Sequence, residues 1–322
     1  MLRRTEARMT AKGNYYMKIK FTKMHGLGND FILIDCISQA FSRLRRLAEE
    51  SAQPSALSSL SKNLCNRRFG IGADQILLLY PSKNADFKMR ILNADGSEVE
   101  MCGNGIRCLA KYIWDRGLSK KTILDIETPA GNIRPEKKGK MVRVDMGEPI
   151  LEPEKIPVKI SQKSEVSLLR RPAKAGSQKS EKNIIIDYPL KIKDKTFKIT
   201  CVSMGNPHAV IFVDKVADFP VTYYGPLLEK HKLFPKKTNV EFIEALNSSE
   251  IKMRVWERGS GETMACGTGA AAAAVASNLK GLTEKNVTVR LAGGDLFIEW
   301  AENNHVYMTG PATEVFTGEI NI

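Results

Sequence analysis

The sequence predicts an α+β fold of two homologous domains, each a curved, mostly antiparallel sheet or barrel wrapped around a central buried helix. Three observations carry this expectation. First, NADGSEVEMCGNGIRCLAKYIWDRG (Asn93 to Gly117) and ERGSGETMACGTGAAAAAVASNLKG (Glu257 to Gly281) share one layout, a glutamate and then a cysteine in a CGxG turn that opens a helix closed by glycine. Second, both helices are apolar on nearly every face, as IRCLAKYIW and AAAAAVA show, and such helices are buried. Third, similar strand signals flank both stretches in the same order, which argues for duplication rather than chance.

Taken along the chain, residues 1–16 read as an N-terminal extension, and 17–150 and 151–322 as the two domains. The extension is basic but lacks the apolar stretch of a secretory signal. NDFILID (Asn29 to Asp35) and HAVIFVD (His208 to Asp214) each set a polar residue ahead of an apolar strand ending in aspartate, which pairs Asn29 with His208. After the two helices, TILDIETPAGNIRP and VTVRLAGGDLFIEW read as strand, glycine turn and strand, and RVDMGEP and VYMTGPA close the halves. The segments Arg43 to Lys62 and about 157–195 show no counterparts and are expected to be surface elaborations, the second a basic insertion.

Composition removes several function classes. The net charge of +13 invites a nucleic-acid reading, but the charge is peripheral: Arg3, Arg4 and Arg8 in the extension, Arg43, Arg45 and Arg46 in a polar segment, and lysines between Lys155 and Lys198. No aromatic platform accompanies it, so neither nucleic acid nor membrane is expected as a partner. The chain has no apolar run of roughly eighteen residues, the length a membrane helix needs, and is expected to be cytoplasmic. Six cysteines without a CxxC pair and four histidines without an HExxH or H-x-H cluster point away from a disulfide scaffold or a metal site. GTGAAA (Gly267 to Ala272) imitates a dinucleotide fingerprint, but the polar ERGSGETMAC before it is no buried strand. With no GxxxxGK[ST] and no lysine context for pyridoxal phosphate, no cofactor is expected.

The CGxG turns place Cys102 and Cys266 at helix N-termini, where unpaired N–H groups and the positive dipole end favour a thiolate. Such placement can bring a cysteine pKa from about 8.5 into the range of about 3.5 to 7.5. The same N–H groups can hold a carboxylate, and the glycines admit a ligand close to the backbone. Two duplicated domains about an approximate two-fold axis would present one thiol to each face of a substrate carbon, as inversion requires: one removes a proton, the other donates one. Cys36, Cys65, Cys108 and Cys201, lacking that context, read as small core hydrophobes.

HGLGNDF (His25 to Phe31), GADQ (Gly72 to Gln75), NADGSEVEMCGNGIRC (Asn93 to Cys108), MGNPH (Met204 to His208), TNVEF (Thr238 to Phe242) and ERGSGETMACGTGA (Glu257 to Ala270) closely resemble the diaminopimelate epimerase family. The resemblance covers nearly all the chain outside the extension and the two insertions. Proline racemase-like relatives of this fold typically read CGHG where Asn104 stands here, and phenazine-type isomerases lack the cysteine pair. The resemblance implies that Cys102 and Cys266 are the acid/base pair, with Cys102 donor and Cys266 acceptor in the forward direction. It implies that His208 and Glu257 adjust their protonation, and that substrate is bound by Asn29, Gln75, Asn93, Gly103, Asn104, Asn206, Asn239, Glu257, Arg258, Gly267 and Thr268. It further implies a homodimer with Tyr307 as a contact, and interconversion of LL- and meso-diaminopimelate in lysine and cell-wall precursor biosynthesis, without cofactor. Thr268 replaces a serine common at its place. Arg258 suits a carboxylate through its bidentate fork, and the asparagines suit ammonium or carboxylate. Two alternatives stay open on the residues alone: a cofactor-independent racemase of another amino acid, such as histidine or glutamate, and a basic nucleic-acid-binding protein.

Overall fold

The computed structural model describes residues 18–38, 54–159, 168–171 and 182–321. The N-terminal extension, Arg43, Arg45, Arg46 and the centre of the basic insertion lie outside the described residues. The described residues divide into two compact units. The first takes the described parts of Met1–Gly26, Asp30–Pro135 and Ala312–Ile322, and the second takes those of Leu27–Asn29 and Glu136–Pro311.

The first unit is built on an eight-stranded sheet ordered Thr313–Asn321, Lys18–Gly26, Asn29–Asp35, Gln75–Tyr80, Phe87–Asn93, Ile126–Thr128 and Gly131–Ile133, with Glu98–Val99 paired to Phe87–Asn93. Two of its pairings are parallel, Asn29–Asp35 with Gln75–Tyr80 and Phe87–Asn93 with Ile126–Thr128. Parallel neighbours need a crossover, and each here contains a helix: α1 (Pro54–Cys65) in the first and α2 (Gly103–Asp115) in the second. The period of two along the strands explains why both helices find an apolar face. Ile32, Ile34, Ile76 and Leu78 join Leu57, Leu60 and Leu64 of α1 in one core. Phe31 and Leu77, pointing the other way, meet Gly105 of α2.

The second unit repeats the plan within an eleven-stranded sheet: Tyr188–Ile192, Lys195–Ser203, Pro207–Phe212, Asn239–Asn247, Glu250–Glu257, Asn286–Leu291, Gly294–Trp300, Val306–Gly310, Met141–Asp145 and Glu136–Lys138, with Gly261–Thr263 against Glu250–Glu257. Its two parallel pairs are Pro207–Phe212 with Asn239–Asn247 and Glu250–Glu257 with Asn286–Leu291, crossed by α3 (Val221–Glu229) and α4 (Gly267–Leu279). Helix α4 packs on strands from Lys195–Ser203 round to Val306–Gly310. Ala270 to Ala276 are all buried, because only such small side chains let so many strands approach one helix. The sheet wraps a central helix as expected, while the strand path stays open, so the barrel form of that expectation is not realised.

Three details differ from the sequence reading. The two expected surface elaborations are not wholly that: in Arg43 to Lys62, α1 carries Leu57 and Leu60 into the core and stands where α3 stands in the second half, and in 157–195 the strand Tyr188–Ile192 joins the second sheet with Leu190 and Ile192 in its core. The units do not divide at 150: Glu136–Lys138 and Met141–Asp145 extend the second sheet, and Thr313–Asn321 pairs with Lys18–Gly26 in the first. The internal match also slips by two residues. In the first unit Phe31 is the parallel partner of Gln75, and in the second His208 is the parallel partner of Asn239. His208 therefore takes the place of Phe31, and Asn29 matches Asn206, each after a glycine of positive φ, Gly28 (89°) and Gly205 (93°).

Candidate active site

Cys102 and Cys266 each cap a helix, with φ −140°, ψ 116° at Cys102 and φ −124°, ψ 114° at Cys266. That extended cap conformation leaves the first N–H groups of α2 and α4 without intrahelical partners, beside sulfur. Gly103 and Gly267 are the first helical residues, both buried.

In the first unit Cys102 is half-buried. On the same helix Arg107 is fully buried and donates to Asn104 Oδ1 at 2.8 Å and to the Gly103 carbonyl at 3.3 Å. Burial lowers the proton affinity of Arg107, and the Cys108 and Cys102 sulfurs act against that. Arg107 escaped the sequence reading, although a charge inside the apolar string IRCLAKYIW was its signal. Elsewhere in the unit Gln75 Nε2 donates to Asn93 Oδ1 at 2.8 Å, and Asn93 Nδ2 donates to Ser97 Oγ at 2.9 Å. The Gln75 Oε1 atom is buried and has no hydrogen-bond partner. Asp30 and Asp74, the neighbours of Asn29 and Gln75, are clamped together. Asp74 N donates to Asp30 Oδ1 at 2.9 Å, and Arg67 bridges both carboxylates at 2.7 and 2.8 Å.

The second unit gathers more of the candidates. His208 is fully buried, with Nδ1 2.7 Å from Glu241 Oε1 and Nε2 3.0 Å from Asn206 Oδ1. Asn206 Nδ2 donates to Thr268 Oγ1 at 3.2 Å, and Thr268 Oγ1 lies 3.5 Å from Cys266 Sγ. Glu257 accepts from Thr263 Oγ1 at 2.5 Å and stands within hydrogen-bonding reach of the Cys266 thiol. Asn239 spends its amide on the protein: Nδ2 donates to the Pro207 carbonyl and Oδ1 accepts from the Arg258 backbone at 2.9 Å. That bond sets the corner at which Arg258 leaves the strand, and its exposed guanidinium donates to the Lys236 carbonyl at 3.1 Å. Tyr307 lies apart from this cluster, with Arg143 stacked over its ring at 3.7 Å and Asn303 donating to its hydroxyl at 3.0 Å.

The electrostatics correct one expectation. Burial pushes the Cys266 thiol well above its ordinary 9.0, the Glu257 and Glu241 carboxylates push the same way, and bonds from Thr268 and the Gly269 backbone only oppose them. The helix N-terminus does not by itself make a thiolate, because desolvation penalises that charge. Glu257 is raised as well, chiefly by burial, against bonds from Thr263 and Cys266. A thiol and a carboxyl group that both resist charge, in contact, can share one proton. The remaining cysteines behave as core residues: Cys36 and Cys108 are pushed up to about 12 by burial, and Cys65 and Cys201 are raised for the same reason. Glu241, fully buried against His208, is a second candidate the sequence reading passed over, inside TNVEF.

A family model described as diaminopimelate epimerase matches residues 21–152 and 200–315. A diaminopimelate epimerase of Acetivibrio thermocellus is 50% identical over 311 residues, covering 94% of this chain and 99% of that one. One of Methanococcus maripaludis is 50% identical over 310 residues, covering 94% and 100%. Among solved structures, a hydroxyproline epimerase from Agrobacterium vitis shares the fold, with a TM-score of 0.62 at 14% identity over 95% of this chain and 92% of that one.

Proposed function

The chain belongs to the diaminopimelate epimerase family, and from that premise we propose that it interconverts LL- and meso-diaminopimelate by passing protons through Cys102 and Cys266. The observation that carries this reading is the repeated CGxG cap, which sets one sulfur at the start of a buried helix in each unit. An α-hydrogen beside a carboxylate is a weak acid, so inversion needs a strong base on one face of the carbon and an acid on the other. In the LL to meso direction Cys266 gives its proton to Glu257, and the resulting thiolate takes the substrate hydrogen. Cys102 delivers its own proton to the opposite face. The first helical N–H groups, at Gly103 and Gly267, receive carboxylate oxygens, whose negative charge suits helix N-termini.

The remaining candidates divide the recognition of a substrate with two ammonium and two carboxylate groups. Gln75 offers a buried carbonyl oxygen to an ammonium group, and its amide is steadied by Asn93. Asn29, Asn104, Asn206 and Thr268 supply neutral hydrogen bonds, and Asn239 aims Arg258 at a carboxylate. No cofactor enters this scheme. A homodimer with Tyr307 at its contact is supported by the way Arg143 and Asn303 hold that ring rigid at little entropic cost. Six cysteines, all free thiols, suit the reducing cytoplasm. Among the described residues no helix is long and apolar enough to cross a membrane.

The test is turnover of LL-diaminopimelate by the purified chain without added cofactor, followed by chromatography that resolves the stereoisomers. Appearance of meso product supports the reading. Inertness toward LL-diaminopimelate with racemisation of another L-amino acid would replace the substrate and keep the chemistry.

A further inference from the structure

The two halves of the molecule close the same frame with opposite chemistry. Beneath the first cysteine helix, a Cβ built on Gly105 meets Leu77 Cδ2 at 3.0 Å, the Cβ of Cys102 at 3.4 Å and Phe31 Cε1 at 3.5 Å. Beneath the second, a Cβ built on Gly269 meets Glu241 Oε1 at 2.8 Å and Cys266 Sγ at 3.3 Å. By strand register Leu77 corresponds to Glu241 and Phe31 to His208. The fold therefore has no need of a charged pair at this place, since the first unit fills it with two apolar side chains. A buried carboxylate is costly unless it is paired. Its presence calls for a role outside packing.

We propose, resting on the epimerase reading, that Glu241 is a positioning residue that keeps His208 doubly protonated, and that this charge sets the direction of a hydrogen-bond chain ending on the Cys266 sulfur. An amide oxygen only accepts, so His208 Nε2, 3.0 Å from Asn206 Oδ1, must carry a proton. Nδ1 stands 2.7 Å from Glu241 Oε1, where an ionised carboxylate accepts the second ring proton. With its oxygen engaged by the imidazolium, Asn206 turns its Nδ2 toward Thr268 Oγ1. The Thr268 hydroxyl accepts there, which leaves its own proton to be donated to Cys266 Sγ, 3.5 Å away. A sulfur that receives this bond is stabilised as a thiolate once its proton has passed to Glu257.

A neutral His208 that keeps its proton on Nδ1, against an ionised Glu241, reverses every arrow. Nε2 then accepts, Asn206 must present Nδ2 to it and Oδ1 to Thr268, and the Thr268 hydroxyl is spent on Asn206 instead of sulfur. The charged and titratable groups acting on this end of α4 are Glu241, Glu257 and His208, with Cys201 beside Glu241 kept as a thiol by burial. Only the first three can set the chain's direction.

The full-length chain labelled with nitrogen-15 histidine decides the question. With the His208 signal assigned through His208→Gln, both imidazole nitrogens of the unmodified protein should be protonated at neutral pH, and Glu241→Gln should convert His208 to a single tautomer. Glu241→Gln should also lower kcat roughly ten- to a hundredfold, the scale of a lost acid–base group, with a displaced pH profile and little change in KM. Thr268→Val should lose a similar factor and Thr268→Ser should restore it. The double variant Glu241→Gln, Thr268→Val should be no slower than the worse single one, because both cut one chain. A neutral His208 in the unmodified protein, or a pH profile for Glu241→Gln that overlays the original, overturns the proposal. If Glu241→Gln does not fold, the unmodified spectrum and the Thr268 pair still decide. A charged His208 in a chain that epimerises nothing would instead refute the proposed function.

Discussion

Leu77 and Glu241 hold the same position in the two halves of the molecule, each against the second glycine of a CGxG turn, one as an apolar side chain and the other as a buried carboxylate. Adding a methyl group at these glycines should therefore have different consequences. Gly105→Ala presses on the flexible end of Leu77 and should cost about 1–3 kcal/mol of stability, the usual range for overpacking, with most of kcat retained. Gly269→Ala presses on Glu241 Oε1 and Cys266 Sγ and should remove most of kcat. Thermal melts beside steady-state kinetics separate the two, and equal effects on both quantities at both sites would contradict the assignment.

Isotope exchange tests the pair of thiols directly. In heavy water the first meso product should carry deuterium at the inverted carbon, while LL-substrate recovered early should carry almost none, because the proton removed and the deuteron delivered belong to different cysteines. Cys102→Ala and Cys266→Ala should each abolish net inversion. Equal early labelling of both pools by the unmodified enzyme would indicate a single base.

The clamp beside Gln75 predicts a pH dependence of stability. Burial raises Asp30, but hydrogen bonds from Arg67, Lys23 and the Asp74 backbone outweigh it and hold the carboxyl well below its ordinary 3.8. A group with a depressed folded-state pKa stabilises fully above its unfolded value, and that contribution fades as pH falls toward the folded one. Asp30→Asn should therefore lower the melting temperature most near neutral pH, and the gap should narrow below about pH 4. A gap that stayed constant down to pH 2.5 would show that the clamp is not electrostatic.

The proposed homodimer predicts a dimer mass for the unmodified protein in sedimentation equilibrium and a monomer mass for Tyr307→Ala, since rigid aromatic side chains carry a large share of interface energy. The variant should remain folded, because the ring is only half-buried within its own chain. An unchanged molar mass would remove Tyr307 from the contact.

The two helix starts of the candidate site were legible in the sequence because helix caps are local. The CGxG strings specify an extended residue followed by a helix without reference to the rest of the chain, and both cysteines stand at such starts. The duplication, the burial of both helices and the sheet around each were legible for the same reason: composition and periodicity are properties of short segments. What only the tertiary structure decided was register and partnership. The strings NDFILID and HAVIFVD suggested that Asn29 matches His208, but side chains alternate along a strand and hydrogen bonding between parallel strands set the match at Phe31 instead. Glu241 lay unremarked in TNVEF because its meaning depends on a strand that reaches it across α3, and Arg107 because a cation in an apolar helix gains its role from the cap one turn away. The terminal strand Thr313–Asn321 completes the first sheet and not the second, since an edge strand is claimed by whichever unpaired backbone it meets and not by its order in the chain.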